Sequence, residues 1–371
     1  MSLQGVTPLM FGETTKAYKL GVPVNRQGIK QLLVSSRGMN ILSQRAYVME
    51  HCPELLLTRE RPEDMLKCIE ASPISHFSQG FAALLCPFAN RLPGRNLHNG
   101  FQEVRWGEAT RNIPINFLPE GLAIHGLVYD SEYRHISYGF KNRHASVKGT
   151  TYIPNDLWFS TLKTDTTTAL FSGIRARTIE VENVGEECAP VGAGEHPDFK
   201  IPHGQPREEV ILRIPGKYII RSGANMLPDF SHGSPVVDVR RTELAGLFCD
   251  DVKERRLGEL DLDHCFTGFE DLGEISFLIE YPALRWGIKI SAWTDGGVNA
   301  IQVYSPTDPS LPAYGSIAVE FQTNFADPFN PAWAEYSPLT YQRSVTMPSG
   351  MRILAPGEKF KWSVRHSIYS W

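Results

Sequence analysis

Apolar and polar residues alternate with a period of two along several short stretches of the chain, the mark of half-buried strands. In Arg177-Thr178-Ile179-Glu180-Val181-Glu182-Asn183, Ile179 and Val181 fall on one face and Thr178, Glu180 and Glu182 on the other. Residues 209–214, 275–280, 287–293 and 360–370 predict further strands, the last rich in the aromatic and β-branched side chains that suit a pleated surface. In Ser316-Ile317-Ala318-Val319-Glu320-Phe321-Gln322, the same period puts Ala318, Glu320 and Gln322 on one face. The opposite face, Ile317, Val319 and Phe321, reads as core. Helical signals are few. Residues 61–70, with an early proline and an acidic first turn, predict one short helix, and residues 242–251 a second.

Thirty-one glycines and twenty-six prolines cut the chain into short segments, which favours strands and turns. No repeat, low-complexity tract or linker-like run divides it. The pattern predicts one large all-β antiparallel domain over residues 1–371, with one or two short helices. Its 42% hydrophobic and 21% charged residues allow a sizeable core.

A net charge of −4 argues against a nucleic-acid partner. The short basic runs, Arg240-Arg241 and Lys253-Glu254-Arg255-Arg256, read as solvated surface. Six scattered cysteines form no C-x-x-C pair and so predict reduced thiols. No secretory leader is visible, and no stretch approaches the ~18 apolar residues of a spanning helix. The expectation is a soluble cytoplasmic protein with no membrane partner.

Motifs for cofactors are missing. There is no G-x-S-x-G elbow and no phosphate loop, and Gly192-Ala193-Gly194 runs into Glu195-His196-Pro197 where a dinucleotide-binding helix would begin. Neither H-E-x-x-H nor tight His/Cys spacing occurs, so no metal and no cofactor are expected. What remains is a set of isolated polar residues in apolar or Gly/Pro-rich settings. They are Asn90-Arg91, His125-Gly126, Gly194-Glu195-His196-Pro197-Asp198-Phe199, Asp263-His264-Cys265-Phe266, Val319-Glu320-Phe321-Gln322 with Asp327 and Asn330, and Pro356-Gly357. Singly, each also fits a structural role: a lone histidine is more often packed than catalytic, and a glutamate on a half-exposed strand is as readily a solvated one.

In this order the motifs resemble those of the aldose 1-epimerase (galactose mutarotase) family, over about residues 30–370. The resemblance implies a β-supersandwich with an open sugar cleft, a small-molecule aldose as ligand, and a monomer or homodimer. It also implies roles: Glu320 as general base, His196 as general acid, and Arg91, His125 and Asp263 as sugar contacts. His264 is expected to orient or pack, and Trp286 and Trp293 to pack in the core rather than stack on sugar. Three departures bear on substrate. Asp198 stands where the family has an aromatic residue, Phe321 follows the base, and Ala326-Asp327-Pro328 replaces the usual Pro-Asp-Ala order. A helix-like insertion at about 58–72 precedes Asn90. Three rival readings follow: a hexose-6-phosphate mutarotase using Arg91 and Arg95, a non-catalytic sugar sensor, and a glycoside hydrolase or lyase pairing Asp263 with Glu320.

Overall fold

The period-two segments assemble into two large antiparallel sheets in a computed structural model. It describes residues 4–11, 15–57, 81–223, 225–242, 244, 256–258, 260–269, 274–293, 297–311, 313–337 and 347–371. The first sheet has eleven strands. Five of them carry the site, in the spatial order Ala82–Leu85, Gly194–Lys200, Ser316–Gln322, Ala300–Ser305 and Leu262–Phe269. The second sheet has eight strands, with Ile174–Asn183, Lys359–Ser370, Trp286–Trp293 and Glu274–Tyr281 adjacent near its middle.

The two sheets share one core. Ile317, Val319, Phe321, Ile301 and Val303 of the first belong to the same buried cluster as Ile179, Val181, Trp362, Val364, Ile288 and Ile290 of the second. Each fully buried aliphatic or phenyl side chain contributes about 1.5–3 kcal/mol. The final strand shows the alternation best: Phe360, Trp362, Val364, His366 and Ile368 are buried, with more exposed residues between them.

Ile174–Asn183 also alternates, but its core face carries two charges. Arg175 and Arg177 lie beside Ile179 and Val181 and are fully buried. Their partner is Glu195, from the first sheet. Arg175 donates to its two carboxylate oxygens at 2.7 and 2.8 Å, and Arg177 donates to Oε1 at 2.7 Å. Arg177 also donates to the backbone carbonyls of Ala82 and Met39. Burial lowers the Arg175 guanidinium to about 10, still charged at neutral pH. This cluster ties the Gly194–Lys200 strand to the second sheet from behind.

Two expectations need correction or restriction. The strand predicted at residues 209–214 is only Ile211–Arg213, because Arg207–Glu209 forms a 3₁₀ turn after Pro206 and Pro215 offers no N–H to continue the ladder. The helix predicted at 61–70 lies outside the described residues, as does most of 242–251. Among the described residues, Trp333–Tyr336 is an α-helix of four residues that the sequence pattern did not single out. No helix there is long and apolar enough to cross a membrane. Cys52, Cys86, Cys188 and Cys265 are free thiols.

Candidate active site

Strand register brings the candidate residues together. Gly194 pairs with Gln322 and Asp198 with Ala318, which sets His196 opposite Glu320. Glu320 in turn pairs with Gln302, and Gln302 with Cys265. On the other side His196 pairs with Ala83. The next row runs Asp198, Ala318, Tyr304 and Asp263. Because side chains alternate along a strand, His196 faces one side while Glu195 enters the inter-sheet core.

Two loops add the remaining groups. His125 donates its backbone N–H to the Asn90 carbonyl at 3.0 Å. Asn90 and His125 both adopt left-handed backbone, at φ 59° and 62°, a conformation that asparagine and histidine tolerate better than most residues. The glycine after His125 has a steric cause: a Cβ on Gly126 would lie 2.2 Å from the Cys86 carbonyl oxygen. The loop after the Glu320 strand clamps this region. Asn324 donates to the Ala89 carbonyl at 2.9 Å and accepts from its N–H at 3.1 Å, while Asp327 donates its N–H to the Arg91 carbonyl at 2.8 Å.

At the centre, His196 Nε2 lies 3.2 Å from Glu320 Oε1. Gln322 donates to Glu320 Oε2 at 2.7 Å, and His125 Nδ1 lies 3.9 Å from the same oxygen. The His125 ring meets His196 edge-on, with centroids 5.2 Å apart. Asp198 Oδ2 approaches His196 Nδ1 at 3.4 Å. Glu320 and Asp198 are each 2% exposed, His125 5% and His196 8%.

Burial raises the Glu320 carboxyl to about 7, against the opposing pull of His196 and Gln322. For His196, burial disfavours the cation, but the carboxylates of Glu320 and then Asp198 outweigh it and bring the imidazole up to about 9. His125 moves the other way. Burial, then the positive charges of His196 and Arg91, hold it well below the usual imidazole value. The site therefore offers a cationic histidine, a neutral histidine and a carboxyl poised near neutrality, a separation suited to proton transfer.

Asp263 and Arg91 belong to the surrounding network. Asp263 Oδ1 accepts from Gln302 Nε2 at 2.5 Å, and Gln302 Oε1 accepts from Asn90 Nδ2 at 3.2 Å. Burial raises the Asp263 carboxyl above its ordinary value. Arg91 makes a two-pronged pair with Glu120, at 2.7 and 3.2 Å. Sequence reasoning did not assign roles to Gln302, Glu120 or the Asn90 side chain. A glutamine inside the apolar run Ala300-Ile301-Gln302-Val303 was the available signal, whereas Glu120 sat in an ordinary-looking turn. Asp263 donates its backbone N–H to His264 Nδ1 at 3.2 Å. Both tryptophans belong to the second sheet: Trp286 packs on Tyr281, and Arg365 stacks 4.3 Å from the Trp293 ring centre.

His125, His196 and Glu320 also place their ligand atoms within 4.8 Å of one another. Two histidines and a carboxylate could hold a divalent cation, but metal binding requires neutral imidazole. His196 is held protonated near neutral pH, so a proton competes with any metal at this position.

Neither a protein-family model nor a curated protein sequence matches the chain. Solved structures do. A galactose mutarotase-like protein from Clostridium acetobutylicum superposes with a TM-score of 0.74 at 15% identity, over 99% of each chain. The fold is that of the galactose mutarotase-like proteins. Galactose 1-epimerase from Lactobacillus acidophilus NCFM shares it with a TM-score of 0.68 at 16% identity, over 100% of this chain and 99% of that one. An aldose epimerase homologue from C. elegans matches with a TM-score of 0.67 at 11% identity, over 95% and 99%. In this galactose mutarotase-like fold the Glu320–His196 pair occupies two adjacent central strands of the eleven-stranded sheet.

Proposed function

We propose that the protein is an aldose 1-epimerase that interconverts the α and β anomers of a free hexose such as glucose or galactose. The observation that carries this reading is the buried 3.2 Å contact between Glu320 and His196, an acid and a base side by side on one sheet face. Glu320 takes the proton of the C1 hydroxyl while protonated His196 delivers one to the ring oxygen, and the C1–O5 bond opens. The aldehyde rotates about C1–C2, and reclosure on its other face, with the roles exchanged, gives the second anomer. Neutral His125 and the Asn90–Gln302–Asp263 chain supply hydrogen bonds to sugar hydroxyls. Because the reaction also proceeds unaided in water, two positioned groups suffice, each supplying about 10²–10⁴-fold.

Polarimetry of freshly dissolved α-glucose or α-galactose tests the reading directly. Faster relaxation of optical rotation, with no new reducing ends, is the expected result. Sugar binding without acceleration would instead indicate a sensor, and new reducing ends from an oligosaccharide a hydrolase.

The pH profile has a sign. Ring opening needs Glu320 deprotonated and His196 protonated, so the rate should rise through about 7 and fall through about 9. A rate that stays flat from pH 5 to pH 10 counts against both roles.

The hexose-6-phosphate reading is disfavoured by pairing and charge. Arg95 already donates to both oxygens of Glu103, at 3.2 and 3.0 Å, and Arg91 is engaged by Glu120. Asp198, Asp263 and Glu120 add negative charge around the pair. A phosphate dianion would have to displace a carboxylate and face others, a penalty of roughly tenfold or more. Glucose 6-phosphate should accordingly show at least about tenfold lower kcat/KM than glucose; equal or higher efficiency would favour the phosphate reading.

A further inference from the structure

We infer that Asp198 is a positioning residue for His196, its carboxylate gripping Nδ1 and so turning Nε2 toward Glu320 and the reacting sugar. The inference rests on the epimerase reading above. It starts from strand geometry: residues 196 and 198 share a face, and the neighbour opposite Asp198 is the small Ala318, which leaves room for a carboxylate against the imidazole. The backbone of Asp198 is held on both sides. Its N–H donates to Phe81 at 3.3 Å, and its carbonyl accepts from Leu57 at 2.7 Å. The side chain therefore reaches His196 from a fixed base and places Oδ2 3.4 Å from Nδ1.

Asp198 and Glu320 address the two ring nitrogens from opposite sides. Among the described residues, His125 meets the ring edge-on from its loop, Arg91 acts electrostatically on His125, and Ala83 pairs with His196 on the neighbouring strand. A carboxylate at Nδ1 keeps a hydrogen there in both protonation states, so Nε2 becomes the nitrogen that gives and takes the catalytic proton. The same negative charge strengthens the imidazolium, in line with its upward shift. Among the described residues, Asp198 Oδ1 is buried without a hydrogen-bond partner, while Oδ2 faces His196 Nδ1.

Asp198→Asn, Asp198→Glu and Glu320→Gln, compared by polarimetry across pH, test this. Asp198→Asn should lose about ten- to a hundred-fold in kcat with a smaller change in KM. Its high-pH limb should move down by about one to two units, and Asp198→Glu should recover part of both effects. If Glu320→Gln is inactive while Asp198→Asn keeps the wild-type kcat and limb, the inference fails and the epimerase reading stands. An active Glu320→Gln overturns the epimerase reading itself. Should Asp198→Asn not fold, nuclear magnetic resonance titration of His196 in the unaltered protein decides. A midpoint well above the ordinary imidazole value, with Nδ1 protonated throughout, supports the inference. A midpoint at or below about 6.5 overturns it.

Discussion

Glu320→Gln should lose about 10²–10⁴-fold in turnover while sugar affinity changes by only a few-fold. Glutamine fills the same volume between Gln322 and His196, so the packing around position 320 is kept. Two chemical effects act together. The proposed base is removed, and His196 loses the nearby carboxylate that contributes most to its upward shift, so the proposed acid weakens as well. Polarimetry gives kcat, and calorimetry with a hexose gives the binding constant. Turnover within about threefold of wild type would rule out Glu320 as the base.

The residue beside the proposed acid should behave in the opposite manner. Glu195→Gln should cost about 3–5 kcal/mol of stability, because it strips the carboxylate from two fully buried guanidiniums. Urea unfolding measures the loss, and His196→Asn is the natural comparison. His196 lies on the strand face turned away from the inter-sheet core, so its replacement should remove activity; because it sits between Glu320 and Asp198 it should also cost stability, but less than Glu195→Gln. Equal midpoints for Glu195→Gln and wild type would mean that the buried cluster does not hold the sheets. On the proposed roles, one peptide bond separates a residue for chemistry from a residue that joins the sheets, and the two-residue period of the strand keeps the roles apart.

Much of the fold was legible because the exposed and buried faces of its long strands differ in polarity. Ile174–Asn183 and Lys359–Ser370 follow the alternation read from residues 177–183 and 360–370. The alternation did not reveal that Arg175 and Arg177 continue the core face. Their neutralising partner, Glu195, lies 20 and 18 positions away and on another sheet, so no local pattern marks it. Similarly, the face of Glu320 was readable from Ala318 and Gln322, and the structure sets His196 and His125 against it. The network around Asp263 was not readable, because it passes through Gln302 and Asn90, 212 positions apart. Asp198 stood out as a departure from the family pattern. Its contact with Nδ1 became evident only once the register placed a small residue opposite it.

The clamp between Asn324 and Ala89 joins positions 235 residues apart. A chain emerging from the ribosome therefore has neither its proposed base nor a fixed Asn90-Arg91 loop until residues 320–324 have been synthesised. Shortening from the C-terminal side removes both together rather than leaving a binder without activity. The Asn90-Arg91 loop therefore cannot be exchanged alone: residues 324–330 must travel with it, as the two segments form one part made from distant stretches of chain.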